Sequence, residues 1–520
     1  MGWMIRHVLT VSTGTLASRI LGFVRDSLLA SILGTSAAAA AFLVAFQFIG
    51  IARRLLTEGS LNAALIPAYL RVRQEDGEVA GAAYAGRVLG SMSALLILIA
   101  IVMGVAMPAL MSALAPGFIG TPTEAMAISD ARLMLPYLAF VGPVTVMMGV
   151  LNANGRFALT AFSPVLFNLA LINTMAVLLL LGWRDPVNVA LTVSAVVGAA
   201  GFLQILILIQ RRPARRGLCT PLRIAVNREM FAFLRKAVPG IVANASPQLL
   251  IVAGAIVASS QPSTVSWLYF ANRLIELPLG IVSVTMGSVL VPEMALAIRD
   301  DDRTLLGHAQ SRGLELAALL TLPATFGLMV LSLPIIRLLF EHGAFTSVDT
   351  RETAMALTAL AIGLPAHVLI KVLSPAFFAR DDTATPHLAT FIALIVAIVA
   401  AMLLSPSFGA VGVAIAIAGA AWCGAGIILW RGATTFGFSV DALARRQLPR
   451  ITAAALLLGG ILWFVFGLLP QPAHTVTQLI LLGLVLGGSL AVYSALLVLC
   501  GVGSYREVAQ WLRNELFSSD

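Results

Sequence analysis

Five arginines, Arg19, Arg25, Arg53, Arg54 and Arg273, lie inside or at the ends of segments apolar enough to cross a membrane. An arginine at the middle of a spanning helix costs about 2.5–3.5 kcal/mol on insertion scales. Its guanidinium cannot escape that cost by losing a proton. Few carboxylates accompany the five. Glu58 and Glu276 are the plausible intramembrane acids, each within one turn of an arginine, Arg54 and Arg273. A cation-coupled exporter is expected to carry uncompensated intramembrane Asp or Glu. The pattern instead predicts a hydrated, cationic cavity that holds an anion. Guanidinium forks give phosphate planar, bidentate, charge-assisted contacts, and several forks together suit a multiply charged ligand such as a diphosphate.

Spacing refines these roles. Six residues separate Arg19 from Arg25, a rotation of about 600°, or about 240° net, on an α-helix. Gly22 between them allows a bend or unwinding that lets both converge. Asp26 can pair with Arg25, and Ser18 precedes Arg19. Arg54 and Glu58 stand at the i, i+4 spacing of a helical ion pair, which leaves Arg53 as the better ligand. Arg273 and Glu276 repeat the arrangement at i, i+3, after Asn272. The expected substrate-binding set is Arg19, Arg25, Arg53 and Arg273. The supporting or gating set is Ser18, Gly22, Asp26, Arg54, Glu58, Asn272 and Glu276. No Walker A, HExxH or GxSxG motif occurs, and the six histidines are dispersed, with His367 alone inside a span. The three cysteines show no metal spacing. The expectation is a transporter, not an enzyme, with no cofactor or metal, driven by a gradient, the membrane potential or a monovalent ion.

The elements that carry these residues are helices in lipid. Of 520 residues, 59% are hydrophobic and 11% charged, with mean hydropathy +0.96, against about 45–50% and about 25% in soluble chains. The apolar runs are continuous instead of alternating, which excludes a β-barrel. We read an all-α polytopic membrane protein with about fourteen transmembrane helices, from 7–33 to 477–501, including 41–66, 127–153, 160–182, 387–404 and 409–430. The net charge of +9 collects in alternate loops, as the positive-inside rule requires, so nucleic acid is not a partner and both termini are expected on the cytoplasmic side. Prolines such as Pro143, Pro278, Pro365 and Pro375 punctuate the spans and permit bending.

An internal duplication appears at an offset near 220 residues. Arg54-Leu-Leu-Thr-Glu58 is matched by Arg273-Leu-Ile-Glu276, and Gly155-Arg156 before Pro164 by Ala379-Arg380 before Pro386. The expected domains are a six-helix lobe at 1–225, a second at 226–445, an extra helix pair at 446–502 and an amphipathic cytoplasmic tail at 503–520. Residues 220–236 also read as a basic interfacial segment.

Several stretches resemble the MurJ (MviN) family. They are Ser18-Arg-Ile-Leu-Gly-Phe-Val-Arg-Asp26, Arg53-Arg-Leu-Leu-Thr-Glu-Gly59, Ser266-Trp-Leu-Tyr-Phe-Ala-Asn-Arg-Leu274 and Leu373-Ser-Pro-Ala-Phe-Phe-Ala-Arg-Asp381. Asn154-Gly-Arg-Phe157 and Phe340-Glu-His-Gly-Ala-Phe-Thr346 fit as well. The resemblance implies a lipid II flippase of the multidrug/oligosaccharidyl-lipid/polysaccharide superfamily, with two six-helix lobes around a cationic cavity and a final pair shaping an apolar groove. It implies that undecaprenyl-pyrophosphoryl disaccharide-pentapeptide moves to the outer leaflet by alternating access. Further implied are an inner-membrane location, membrane lipids and cell-wall synthesis proteins as partners, and a monomer. Arg19, Arg25, Arg53 and Arg273 match the family's important arginines. The chain departs from the family pattern at Ala40, where an acid is expected, at Gly50, where an asparagine is expected, and at Asn272, where an acid is expected. The alternatives are a flippase for another polyprenyl-linked glycan, a cation-coupled drug exporter, or a scaffold that recruits other proteins without transport.

Overall fold

The computed structural model describes residues 2–57, 60–210, 222–225, 227–228, 230–235, 237, 252–285, 303–378, 380, 382–468 and 475–502. Among these residues the secondary structure is helical, with no strand. With no water in the hydrocarbon to satisfy peptide groups, apolar segments close their hydrogen bonds internally and become helices. The fifteen α-helices described are α1 Gly2–Leu33, α2 Ala37–Thr57, α3 Ser60–Asp76, α4 Glu78–Leu114, α5 Pro122–Met134, α6 Pro136–Ala153, α7 Phe157–Leu180, α8 Pro186–Gln210, α9 Pro262–Thr285, α10 Arg303–Val330, α11 Ser332–Phe340, α12 Ser347–Phe378, α13 Ala384–Phe436, α14 Ala442–Leu468 and α15 Thr475–Leu499.

Ten helical stretches among the described residues are long and apolar enough to cross a membrane. The expected count of fourteen is approached differently in two places. The stretch expected at 41–66 is divided between α2 and α3. The 53-residue α13 contains both 387–404 and 409–430. At about 1.5 Å per residue it would reach about 80 Å if straight, far beyond a bilayer of about 30 Å. It is not straight. Gly409 breaks the helix at φ 54°, ψ −131°. A methyl group on Gly412 would lie 2.5 Å from the Leu404 carbonyl oxygen, and one on Gly424 would lie 3.4 Å from Ala393 Cβ. Those contacts pair residues before the break with residues after it, the nearer with the nearer and the farther with the farther, so α13 is an antiparallel helical hairpin. The tail 503–520, Glu58, 238–251 and 286–302 lie outside the described residues, and 220–236 is described only in part.

The chain divides into two units. The first comprises Met1–Ser266 with His342–Thr346, the second Trp267–Glu341 with Ser347–Asp520. In the first unit α1 packs along α7, α2 against α5, α4 against α6, and α8 against α5, α6 and α7. Small residues permit close approach, as expected where lipid supplies no hydrophobic force between helices. A side chain on Gly14 of α1 would strike Ala161 of α7, and one on Gly198 of α8 the Leu133 carbonyl of α5. In the second unit α10 packs against α12 and α14, and α12 against α13. Val372, Leu373 and Phe377 join Leu314 and Ile428 in one core cluster. The final helix pair has its own cluster, in which Ile451, Leu458, Tyr493 and Leu497 pack with Leu319 of α10. Tyr493 donates its hydroxyl to the Leu319 carbonyl at 3.1 Å. The outward side of α15 exposes Leu479, Ile480, Leu484 and Leu490, a surface suited to acyl chains.

Candidate functional site

In the first unit Ser18, Arg25, Asp26 and Arg53 come together where α1, α2 and α7 meet. Arg25 is buried, 6% exposed. Its Nε and Nη2 donate to Asp26 Oδ1 at 2.9 and 2.6 Å, and its Nη1 donates to Asn168 Oδ1 at 3.0 Å. The guanidinium carbon lies 4.9 Å from the Phe46 ring centroid. Asn168 in turn donates Nδ2 to the Ser18 carbonyl at 3.0 Å and meets Ser18 Oγ at 3.4 Å. Ser18, Arg25, Asp26 and Asn168 thus form one network from α1 to α7. These bonds leave one N–H on each terminal nitrogen of Arg25 for another acceptor.

Aromatic rings extend the arrangement to Arg53, which occupies the C-terminal part of α2 beside Arg54. There both charges face the negative end of the helix dipole. The Arg53 guanidinium lies 5.8 Å from the Phe167 ring centroid. Phe167 stacks with Phe46 at 6.3 Å and meets Tyr137 edge-on at 5.3 Å, and Phe46 stacks with Phe42 at 5.6 Å. One aromatic column therefore carries two guanidiniums. A cation over a ring face gains about 0.5–2 kcal/mol when partly desolvated, and the ring adds no opposing charge.

Arg19 is half-buried and forms no hydrogen bond or ion pair among the described residues. The bend or unwinding expected at Gly22 is not needed for the network: α1 is helical from Gly2 to Leu33, and Gly22 is buried within it. Unbroken helix keeps Arg19 about 240° round from Arg25. The expected Arg54–Glu58 pair involves Glu58, which lies outside the described residues. In the second unit Arg273 Nη1 donates to Glu276 Oε2 at 2.7 Å, one turn along α9, and Asn272 is half-buried beside it. Trp267, also on α9, donates Nε1 to Asp349 Oδ1 of α12 at 2.9 Å.

Sequence reasoning missed three participants. Asn168 stands in an apolar span. Its signal is physical: a buried amide in a membrane helix needs partners and finds them on a neighbouring helix. Phe46 and Phe167 carry no such signal among 25 phenylalanines. It also missed a carboxyl. Asp130 of α5 lies within the expected span 127–153 and is 1% exposed, so Glu58 and Glu276 are not the only intramembrane acids. Among the described residues no group of three or more His, Cys, Asp or Glu is arranged to hold a metal.

The comparisons with known proteins agree with this architecture. A family model described as lipid II flippase MurJ matches residues 29–484. A probable lipid II flippase MurJ of Rhizobium meliloti (strain 1021) is 34% identical, with 96% of this chain and 94% of the relative covered. The lipid II flippase MurJ of Burkholderia cenocepacia is 31% identical over 88% of this chain and 89% of its own. Among solved structures, lipid II flippase MurJ in an inward closed conformation superposes with TM-score 0.76 at 22% identity, covering 96% of this chain and 100% of that one. An inward-facing multidrug resistance MATE transporter superposes with TM-score 0.67 at 17% identity, covering 84% and 96%. These two likenesses describe the fold. Family match, relatives and helical architecture together make this a multi-pass membrane transporter, and the chain belongs to the MurJ family.

Proposed function

We propose that this protein moves lipid II, the undecaprenyl-diphosphate-linked peptidoglycan precursor, from the cytoplasmic to the periplasmic leaflet of the bacterial inner membrane. The observation that carries the reading is the pair of guanidiniums on the Phe46–Phe167 column. Arg25 and Arg53 share that column, and permanently charged guanidiniums held in an apolar span suit an anionic ligand. In this reading the lipid's diphosphate docks on Arg19, Arg25, Arg53 and Arg273, with Ser18, Gly22, Asp26, Arg54, Glu58, Asn272 and Glu276 in support. The prenyl tail stays in lipid along α14 and α15, whose exposed faces are apolar. The protein works as a monomer by alternating access between the lobes at 1–225 and 226–445, with both termini cytoplasmic. Membrane potential biases the cycle, since each unit charge moved feels about 2.3 kcal/mol per 100 mV; cell-wall synthesis proteins supply and remove the substrate.

The test is reconstitution of the purified chain in vesicles, with a leaflet-specific assay of lipid II, with and without an imposed potential. Transfer above protein-free vesicles is expected, and faster transfer under a potential positive on the receiving side. No transfer in either condition sinks the reading. Transfer of other diphosphate-linked glycans at equal rate replaces lipid II with a broader substrate class.

A further inference from the structure

The sequence pattern set a criterion for cation coupling, an intramembrane carboxyl without a basic partner, and the structure contains one away from the arginine site. Asp130 lies on α5, nine residues into the helical stretch Pro122–Ala153 and 1% exposed. Its described partner is the Ser194 hydroxyl of α8, which donates to Oδ1 at 2.9 Å. Asp130 also lines a cavity of about 190 Å³ with Ala38 of α2, Met126 and Ser129 of α5, and Val187 and Ala190 of α8. That volume holds several waters.

The electrostatic surroundings are sparse. No lining residue of the cavity other than Asp130 is ionisable. On α5 itself, Glu124 is engaged by Ser112 Oγ at 3.1 Å and the Gly120 N–H at 2.9 Å, while Arg132 donates Nε to the Gly104 carbonyl at 3.1 Å. Before α8, Asp185 accepts from the Asn188 N–H at 3.0 Å. From α2 the first charged residue is Arg53, fifteen positions beyond Ala38 and committed to the aromatic column. From α6, Tyr137 meets Gln204 Oε1 at 3.5 Å. Hence no cation neutralises Asp130 among the described residues. A buried charge left unpaired is strongly unfavourable, and intramembrane acids of this kind mark proton pathways.

The ligand chemistry follows from the donor count. A hard metal cation asks for about six oxygen ligands. The side chains lining the cavity offer one carboxyl and one hydroxyl, that of Ser129, which donates to the Ala125 carbonyl at 2.8 Å. A proton needs one oxygen. The lining residues Ala38, Met126 and Val187 sit near the starts of α2, α5 and α8. The loops before these three helices hold one basic residue, the exposed Arg184, and face the periplasm in the topology proposed above.

We propose that Asp130 is a proton-binding site of this transporter, loaded through the cavity at the end where α2, α5 and α8 begin. Hydronium gives its proton to a carboxylate oxygen, an O–H bond forms, water is released, and Ser194 keeps its hydrogen bond to Oδ1. The site is distinct from the arginine network and does not depend on the identity of the transported lipid.

Infrared difference spectroscopy tests it on the full chain in vesicles without lipid II, so its failure is separate from failure of the flippase reading. Between about pH 4 and 9, a range that spans the shifts seen for buried carboxyls, the wild type should gain a protonated-carboxyl C=O band on acidification. Asp130→Asn should lose that band, and Ser194→Ala should keep it at a shifted frequency, because one hydrogen bond is gone. Identical difference spectra for wild type and Asp130→Asn overturn the proposal. A wild type with no titrating carboxyl band overturns it even where the Asn variant does not fold.

Discussion

Arg25 and Asn168 stand 143 positions apart in the chain, yet Arg25 Nη1 donates to Asn168 Oδ1 at 3.0 Å while the same amide reaches back to the Ser18 carbonyl. One neutral side chain on α7 therefore fixes the orientation of a guanidinium on α1 and reads the backbone about two turns before it. Replacing Asn168 by Leu keeps the branched heavy-atom outline and removes both bonds. Leaving a charged donor unmatched costs about 1–3 kcal/mol, so binding of a diphosphate lipid should weaken about tenfold or more. Native mass spectrometry of the purified variant against wild type measures this. Unchanged affinity, with the fold intact, would deny Asn168 any positioning role.

Asp26 has the opposite duty. Its side chain is fully buried and carries two bonds from Arg25. Asp26→Asn leaves the guanidinium as an uncompensated buried charge, a loss of about 3–5 kcal/mol when one partner of a buried pair is removed. The thermal midpoint in detergent should fall by several degrees. Arg25→Met combined with Asp26→Leu should recover most of the stability, because a buried pair can be exchanged for apolar packing. If the double variant is as unstable as the single one, the ion pair is not the source of the loss.

Charge and geometry can be separated at the arginines. Arg19→Ala and Arg273→Ala are expected to abolish growth of a strain depleted of its own flippase while protein levels in the membrane stay normal. Arg19→Lys and Arg273→Lys should restore growth only in part, since an ammonium is a point charge without a planar fork. Full growth of the alanine variants rejects the anion site. Full growth of the lysine variants would mean that attraction alone is sufficient.

A pH effect is expected at the turn between α12 and α13. Asp382 accepts from the Thr385 hydroxyl at 2.7 Å and the Thr385 N–H at 2.9 Å, and these bonds hold its carboxyl below the usual carboxylate range. A depressed value in the folded state means that the contribution is complete above the unfolded value of about 3.9 and disappears as the pH falls through the folded one. Asp382→Ala should therefore lower stability at neutral pH and make no difference in strong acid. Unfolding midpoints measured across that range check the sign; a gap that persists at the acidic end contradicts the assignment.

The helical class and the membrane setting were legible from continuous apolar runs, and the arginines drew notice because charge in such a run is rare and costly. The pairing of Arg25 with Asp26, and of Arg273 with Glu276, followed from local spacing. Asn168, Phe46 and Phe167 did not, since each acquires its part only through tertiary contact and a neutral side chain in a span attracts no notice. Asp130 was overlooked for another reason. It stands near the start of its segment, where a carboxylate reads as an interfacial residue, and only the packing of α2 and α8 around it encloses it. The helix of α1 also runs on through Gly22, because glycine permits a break without compelling one.

The reversal at Gly409 bears on how the chain enters the bilayer. Between Leu404 and Gly409 the polar side chains are Ser405 and Ser407, and no charge occurs from His387 to Arg431. A connection that brief carries almost no hydration to strip. Its two arms can be delivered to lipid together as a preformed wedge, without first ferrying a soluble loop across. Placing an arginine at Ser407 would burden that passage, because the bend would then have to carry a permanent charge across with it.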